Sequence, residues 1–519
     1  MTKRCMLFFL LLLAAVLAGC GADRPRPGGE IVLAAARDLA PGQKDPYFAS
    51  SILEVWEPLV GISDEGRPVP VLAESWESNE DRTQWTFHLK KGVLFQDGRP
   101  FDAGAVAANF ERYTNMGYRA SSFYGFSAAR IYPGLLKTEQ TDDHTVRLYF
   151  KKPVPMLIYR MAGWGSAMFS PDCFDRNTGD FIKTVSGTGP FYISERVPDR
   201  YTVLRRNESY YGAKAQARQI KIRVIPSPET RYSAMKSGEI LGVLDLGGMP
   251  PVLAEELLKD SRFQKSVCRT TISHYLSLNG TRFPFQDERM RRAVNLAVDR
   301  EKIVKYYFRG FGTPTAGFLN SMSPFGRVVP SAVNLSEAMV LSQEVLQEKR
   351  QTVRFLLPQY GTERYPYKII AEFLQAELKP LGLDVKIDMM DSLTYRSAMA
   401  RGDYDIAIST RGLGNLDPTE LLYDYFDSRG SSNLSGHLGY SNSEADRLFE
   451  QLQSAYSLSE RRVLYDRLLA QLQEHPAVVP LLEDQNLAVS SRRLAGYQAS
   501  VYGITLDRVH WAEGSGAGS

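Results

Sequence analysis

From Met290 to Ser409 the hydrophobic period switches repeatedly between that of a helix and that of a strand, and this alternation restricts the fold more than any other feature. Met290, Ala293, Val294, Ala297 and Val298 fall at i, i+3, i+4, i+7 and i+8, one stripe of an amphipathic helix. Ile370, Phe373, Leu374, Leu378 and Leu381 form a second stripe, stopped by Gly382. Residues 384–387 then read as a strand, 393–400 as a helix and 404–409 as a strand. Helix, strand, helix, strand is α/β architecture with some parallel pairing. Upstream, residues 30–36 read as a strand and 84–89 alternate polar with apolar, the signature of a strand with one wet face. Asp97-Gly98-Arg99-Pro100 marks a turn, and Asp102 caps a helix running through Ala105 to Tyr113. A long amphipathic stretch, 444–473, precedes a last apolar strand at 477–482, and the Gly/Ser/Ala tail after residue 513 carries nothing to bury.

The 519 residues, 44% hydrophobic and 23% charged, suffice for roughly three compact units with real cores. The 62 Lys and Arg against 59 Asp and Glu leave a formal charge of +3, too small over this length to attract nucleic acid or an anionic membrane face. Four cysteines exclude a disulfide-built scaffold.

Lys3 and Arg4 precede a 12-residue apolar run, 6–17, shorter than the about 20 residues a membrane-spanning helix needs. This is a signal-peptide pattern. It ends in Leu17-Ala18-Gly19-Cys20, which resembles a bacterial lipobox, so residues 1–19 are expected to be removed and Cys20 lipidated. Residues 20–29 read as a flexible tether. The expectation is an exported protein, lipid-anchored to the cell membrane and facing the periplasm or outer surface. Cys173 and Cys268 remain, either as buried thiols or as one bridge.

Catalytic signals are thin. Ser233-Ala234-Met235-Lys236 matches a Ser-x-x-Lys pattern, but no Lys-Thr-Gly or Ser-Asp-Asn partner accompanies it. There is no Gly-x-Ser-x-Gly elbow, His-Glu-x-x-His helix or phosphate loop, and the six histidines are scattered. A secreted hydrolase is the rival class; the reading here is no enzyme, no catalytic residue and no cofactor.

Trp56-Glu57-Pro58-Leu59-Val60, Pro70-Val71-Leu72-Ala73-Glu74-Ser75-Trp76 and the block from Trp85 to Phe95 resemble the N-terminal signature of family 5 extracellular solute-binding proteins. So do Gly187-Thr188-Gly189-Pro190-Phe191, Arg206 to Gly212, Leu278-Asn279, Arg291-Arg292-Ala293, Val298-Asp299-Arg300 and Gly402-Asp403-Tyr404-Asp405. These proteins are the peptide, dipeptide and nickel receptors of ABC importers. The resemblance implies a bilobed α/β fold, periplasmic-binding-protein-like and of the large type II class, with a hinge and a ligand cleft between the lobes. Lobe I would comprise 30–271 plus 483–512, with an inserted subdomain, and lobe II 272–482; 513–519 would be disordered. It also implies a monomer that meets two permease subunits with their ATPases.

The opening motif and its spacing are most similar to the nickel branch, in which arginines hold a chelator's carboxylates, aromatic rings wall it, and a histidine sometimes touches the metal. Carried over residue by residue, this implies ligand contacts from Arg119, nine residues after Phe110, and from Phe123 beyond it. Arg411 follows the 404–409 strand, where loops leaving a strand's carboxyl end line clefts. Tyr47 and Trp164 are candidate wall residues, and His437 a candidate metal ligand. Two departures weigh against a small nickel chelate: residues 161–167 hold no positive charge, and Gly412 stands where that branch has a tryptophan. Both fit a larger or less anionic ligand, either a metal chelate with an amino acid or metallophore, or a short peptide.

Overall fold

The computed structural model describes residues 30–40, 51–116, 128–359 and 364–513. The expected leader, Cys20, the tether and the tail from 514 lie outside them. The strand Ile31–Ala35 pairs in parallel with Gln219–Val224, and Tyr201–Arg206 and Phe191–Val197 extend that sheet antiparallel. A second sheet is antiparallel throughout, ordered Ala73–Ser78, Gln84–Leu89, Thr145–Phe150, Leu135–Asp142. The alternation at 84–89 sets its inward face: Trp85, Phe87 and Leu89 are buried, while Gln84 and His88 are half-exposed. Over it lies the helix Ala103–Met116, whose first turn Asp102 caps by accepting the Ala105 N–H at 2.7 Å. Both sheets share one core.

The second half of the chain builds a six-stranded sheet, ordered Gly312–Pro314, Val478–Ser491, Phe263–Leu278, Ile406–Gly412, Gln351–Pro358, Leu383–Met390. Its last three strands are parallel, as the helix–strand alternation requires. The stripe of the helix Glu288–Ala297 packs on this sheet, with Met290, Ala293, Val294 and Ala297 all buried.

Phe263–Leu278 and Val478–Ser491 run antiparallel through both halves, and their ladder is interrupted between Arg269 and Ser273. On one side of the interruption Phe263, Leu487 and Val489 pack with Ala34 and Ile225. On the other, Leu276, Leu278, Val479, Leu481 and Leu482 join the second core. One pair of strands therefore carries the chain from core to core and back, and the seam lies at 270–272 and 483–484.

Two elements differ from the sequence reading. The stretch 444–473 is two helices, Ser443–Ser454 and Leu458–Glu474. Ser457 starts the second through a capping box with Glu460, each accepting the other's backbone N–H at 3.2 Å. The strand expected at 477–482 continues to Ser491, because Glu483 and Asp484 lie buried where the ladder crosses the seam. Among the described residues no helix is long and apolar enough to cross a membrane.

Candidate functional site

The strand Ile406–Gly412 ends at the seam: Arg411 stands opposite Ser273, Gly412 opposite Ile272, and the Leu413 N–H donates to the Thr271 carbonyl at 3.0 Å. Arg411 Nε donates to the Tyr425 hydroxyl at 3.2 Å, and its guanidinium lies over that ring. Tyr425 in turn shares a 2.5 Å hydrogen bond with the buried Tyr275. Tyr275, Tyr425, Phe318 and Phe426 pack edge-on or tilted against one another as an aromatic floor. The Tyr425 hydroxyl raises the Arg411 pKa above its ordinary value, so the charge is permanent. Arg411 is open to solvent and, among the described residues, has no carboxylate within ion-pair distance.

Two other arginines at the seam, Arg160 and Arg364, are paired. Arg160, on the short helix Leu157–Met161 of the first core, meets Asp417 at 2.7 Å and Glu420 at 3.4 Å across the seam. Burial pushes the Asp417 carboxyl up, but Arg160 and Arg461 beside it and the bonds from Thr419 outweigh that and hold it below its ordinary value. Arg364 pairs with the buried Asp484 at 2.7 Å, and Tyr365 donates to the same oxygen. Glu483 accepts from the Ser321 N–H and hydroxyl; burial keeps its pKa raised.

The two halves touch backbone to backbone. The Leu416 N–H donates to the Tyr159 carbonyl at 3.2 Å. Gly66, in the turn after Val60–Ile62, lies so near the loop after Leu319 that a Cβ would stand 2.3 Å from the Met322 carbonyl oxygen. Between the halves is a cavity of about 280 Å³ lined by Arg130 from the first and Thr419, Glu420, Tyr423, Asp424, Phe449 and Gln453 from the second.

The expected site residues are only partly brought together. Tyr47, Arg119 and Phe123 lie outside the described residues. Trp164 has its backbone in the 3-10 turn Gly163–Ser166 of the first half; its side chain is also outside what is described. Arg411 is at the seam. His437 is not: its ring covers Gly402 and its Nε2 lies 3.1 Å from the Ala400 carbonyl oxygen. Gly402 lies four residues before the strand that carries Arg411, so His437 sits beyond the far end of that strand, whose first residue is itself about 17 Å of chain from Arg411. Cys173 and Cys268 are free thiols, the first buried. Ser233 is exposed and Lys236 reaches toward Asp260 at 3.9 Å, so that pattern is an ordinary helix face. Gly412 is exposed with only ordinary contacts for an added Cβ, to Ile272 and Thr271, which leaves room beside Arg411.

Sequence reasoning missed Arg160. It stands one residue before 161–167, the stretch marked as lacking positive charge, and the available signal was a lone arginine in an apolar turn, Leu157-Ile158-Tyr159-Arg160-Met161.

Most motif blocks turn out to be packing devices. Glu57 is half-buried and accepts hydroxyls from Thr188, Tyr210 and Tyr211 at 2.8, 2.8 and 3.0 Å. Three distant blocks therefore meet on one carboxylate. Gly187 and Gly189 are required because a Cβ at either would stand 2.2 Å from a carbonyl oxygen, that of Val55 or Glu54. In the second half the Asn279 amide donates to the Gly402 and Tyr404 carbonyls, and Arg291 to those of Pro476 and Phe285.

Residues 67–433 match the model of the bacterial extracellular solute-binding proteins, family 5 Middle. The chain belongs to this family. It is therefore the substrate-binding protein of an ABC importer, a bilobed transport receptor of extracellular or periplasmic type rather than an enzyme. The receptor is 24% identical over 433 residues to the Escherichia coli (strain K12) protein described as a probable D,D-dipeptide-binding periplasmic protein, DdpA, covering 82% of this chain and 81% of that one. It is 24% identical over 520 residues to the nickel-binding periplasmic protein of the same organism, covering 95% of each. The crystal structure of NikA from Brucella suis in complex with Fe(III)-EDTA superposes with a TM-score of 0.80 at 24% identity, over 93% of this chain and 100% of that one.

Proposed function

We propose that the receptor captures a small carboxylate-bearing solute between its lobes, a metal ion already wrapped by an amino-acid or metallophore chelator, and hands it unchanged to the permease subunits and their ATPases. The observation that carries this is Arg411. Its guanidinium has no carboxylate partner among the described residues, whereas Asp417 and Asp484 each hold an arginine. A permanent, unneutralised guanidinium beside an aromatic floor is built to take a carboxylate, in the two-bond arrangement that its planar fork and its charge both favour. The metal must bring its own ligands, because among the described residues no three His, Cys, Asp or Glu could hold one. Arg119, Phe123, Tyr47 and Trp164 stay in the proposal as further carboxylate and wall contacts; His437 leaves it. Lipidation at Cys20 and a monomeric state belong to the same reading and follow from the lipobox and the family.

A short peptide is the second reading, favoured by Glu420 and Asp424, which line the cavity with Arg130 and suit an α-ammonium beside a carboxylate anchor. Two experiments separate them. Metal analysis and mass spectrometry of material purified from the native host identify the passenger directly. A thermal-shift screen compares nickel–histidine and related complexes with dipeptides. If the complexes leave the melting temperature unchanged while dipeptides raise it, the chelate reading is wrong.

A further inference from the structure

The lobes are held shut by an ion pair that owes nothing to a ligand. Arg160 is fixed on its own side by packing of Leu157, Ile158 and Met161 into the first core and by a 2.7 Å bond from its Nη1 to the Arg130 carbonyl. Its Nε donates across the seam to Asp417, and its Nη1 faces Glu420. The two main partners are shielded from water, their side chains 11% and 1% exposed. Asp417 is equally fixed on the other side, where its second oxygen accepts the Thr419 N–H at 3.0 Å. Opening the lobes would pull apart a guanidinium and a carboxylate that each lobe holds rigidly in place.

We propose that Arg160 is a latch that closes the lobes and, by the same contact, a selectivity element. It supplies from the protein the cation that Asp417 and Glu420 would otherwise take from a ligand. The closed receptor therefore turns away solutes whose ammonium or guanidinium must sit in this corner, and admits those that present only neutral or anionic groups to it. Buried carboxylates with a resident arginine gain nothing from a second cation and lose by displacing the first. The selectivity half deepens the chelate reading and rests on it; the latch half needs no ligand at all.

The test uses the mature full-length receptor, ligand-free, as wild type, Arg160→Ala and Arg160→Lys, with far-UV circular dichroism and thermal melting to establish that each variant folds. Small-angle scattering should show a larger radius of gyration for Arg160→Ala, with Arg160→Lys between it and wild type. Methylguanidinium at tens of millimolar should return Arg160→Ala to the compact value and leave wild type unchanged. An unchanged radius in Arg160→Ala, or an expansion that methylguanidinium does not reverse, overturns the latch, since a mere packing defect offers no charged vacancy to refill. For selectivity, the ratio of dipeptide to nickel–histidine affinity should rise about tenfold or more in Arg160→Ala, the scale of losing one close charge pair. An unchanged ratio overturns selectivity. If wild type binds neither probe, the chelate and peptide readings fail while the scattering result still decides the latch.

Discussion

Alanine at Gly66 should hold the lobes apart while leaving each of them folded. Gly66 has φ +75°, so alanine there pays the left-handed penalty of about 1 kcal/mol, but it does so open or closed, and the term cancels from the closure equilibrium. What remains is specific to the closed state. The new methyl would stand 2.3 Å from the Met322 carbonyl oxygen and 3.1 and 3.2 Å from its carbonyl carbon and Cα, where ordinary contact begins at 3.4 Å. One of the two backbones must retreat by about an ångström at the oxygen. The Met322 side cannot easily give. Ser321 is held by Glu483 through its N–H at 2.7 Å, and Asn320 by the Ile272 carbonyl at 3.2 Å. Overpacking of this kind costs about 1–3 kcal/mol, so apparent affinity should fall by at most roughly 5- to 150-fold, the fall being smaller by whatever margin the ligand-free lobes already favour closure. The assay pairs calorimetric titration of the co-purified solute with small-angle scattering. Gly98→Ala is the control: φ there is +86° and an added Cβ meets nothing within 4 Å, so it carries the same backbone penalty without the clash. If Gly66→Ala matches Gly98→Ala in affinity and radius of gyration, the loop after Leu319 does not limit closure and the reasoning fails.

Three further outcomes follow from single side chains. Arg411→Ala should weaken an anionic ligand by about 1.5–3 kcal/mol, the worth of a charge-assisted contact, and leave the melting temperature nearly unchanged; equal affinity by calorimetry removes Arg411 from the site. Glu57→Ala should cost about 2–4 kcal/mol in urea unfolding, because three hydroxyl donors lose one acceptor; a loss below about 1 kcal/mol contradicts the shared-carboxylate account. Glu54 is half-buried beside Asp507 and accepts the Leu506 and Asp507 N–H groups at 2.8 Å. Burial first, then Asp507, raise its pKa from 4.5 to about 8. The folded chain thus keeps a proton that the unfolded chain releases, so this contribution is complete below about pH 4.5 and is lost as pH rises toward 8, by a few kcal/mol in all. Calorimetric melting of Glu54→Gln between pH 5 and 8 should be flatter than that of wild type, and an identical slope would assign the dependence elsewhere.

The amphipathic stripes at Met290 and Ile370, the alternation at 84–89 and the cap at Asp102 were legible because each is decided by neighbours within one or two turns. The break at Ser457 was legible in principle twice over: Ser-x-x-Glu is a local signal, and the buried positions after it (Tyr465, Leu468, Leu472) lie about half a turn out of phase with those before it (Ala445, Leu448, Leu452). The strand beyond Leu482 was not, because Glu483 and Asp484 are tolerable inside a sheet only where Ser321 and Arg364 come to meet them. The motif blocks were recognisable as a family signature without revealing their work: Glu57 and the glycines at 187 and 189 form a packed junction.

By itself, the order of residues determined the α/β class, the locally decided elements, the family and the presence of a permanently charged arginine after a strand. Tertiary structure alone decided which charges are free to meet a solute. Arg411 and Arg160 are the same residue type on short local segments, yet among the described residues one has no carboxylate within ion-pair distance and the other is consumed by a carboxylate 257 positions away. No local pattern encodes that difference. Whether a charge is neutralised depends on what the folded chain carries to within 4 Å of it, and across the seam that is settled by two crossing strands and the closeness of the lobes.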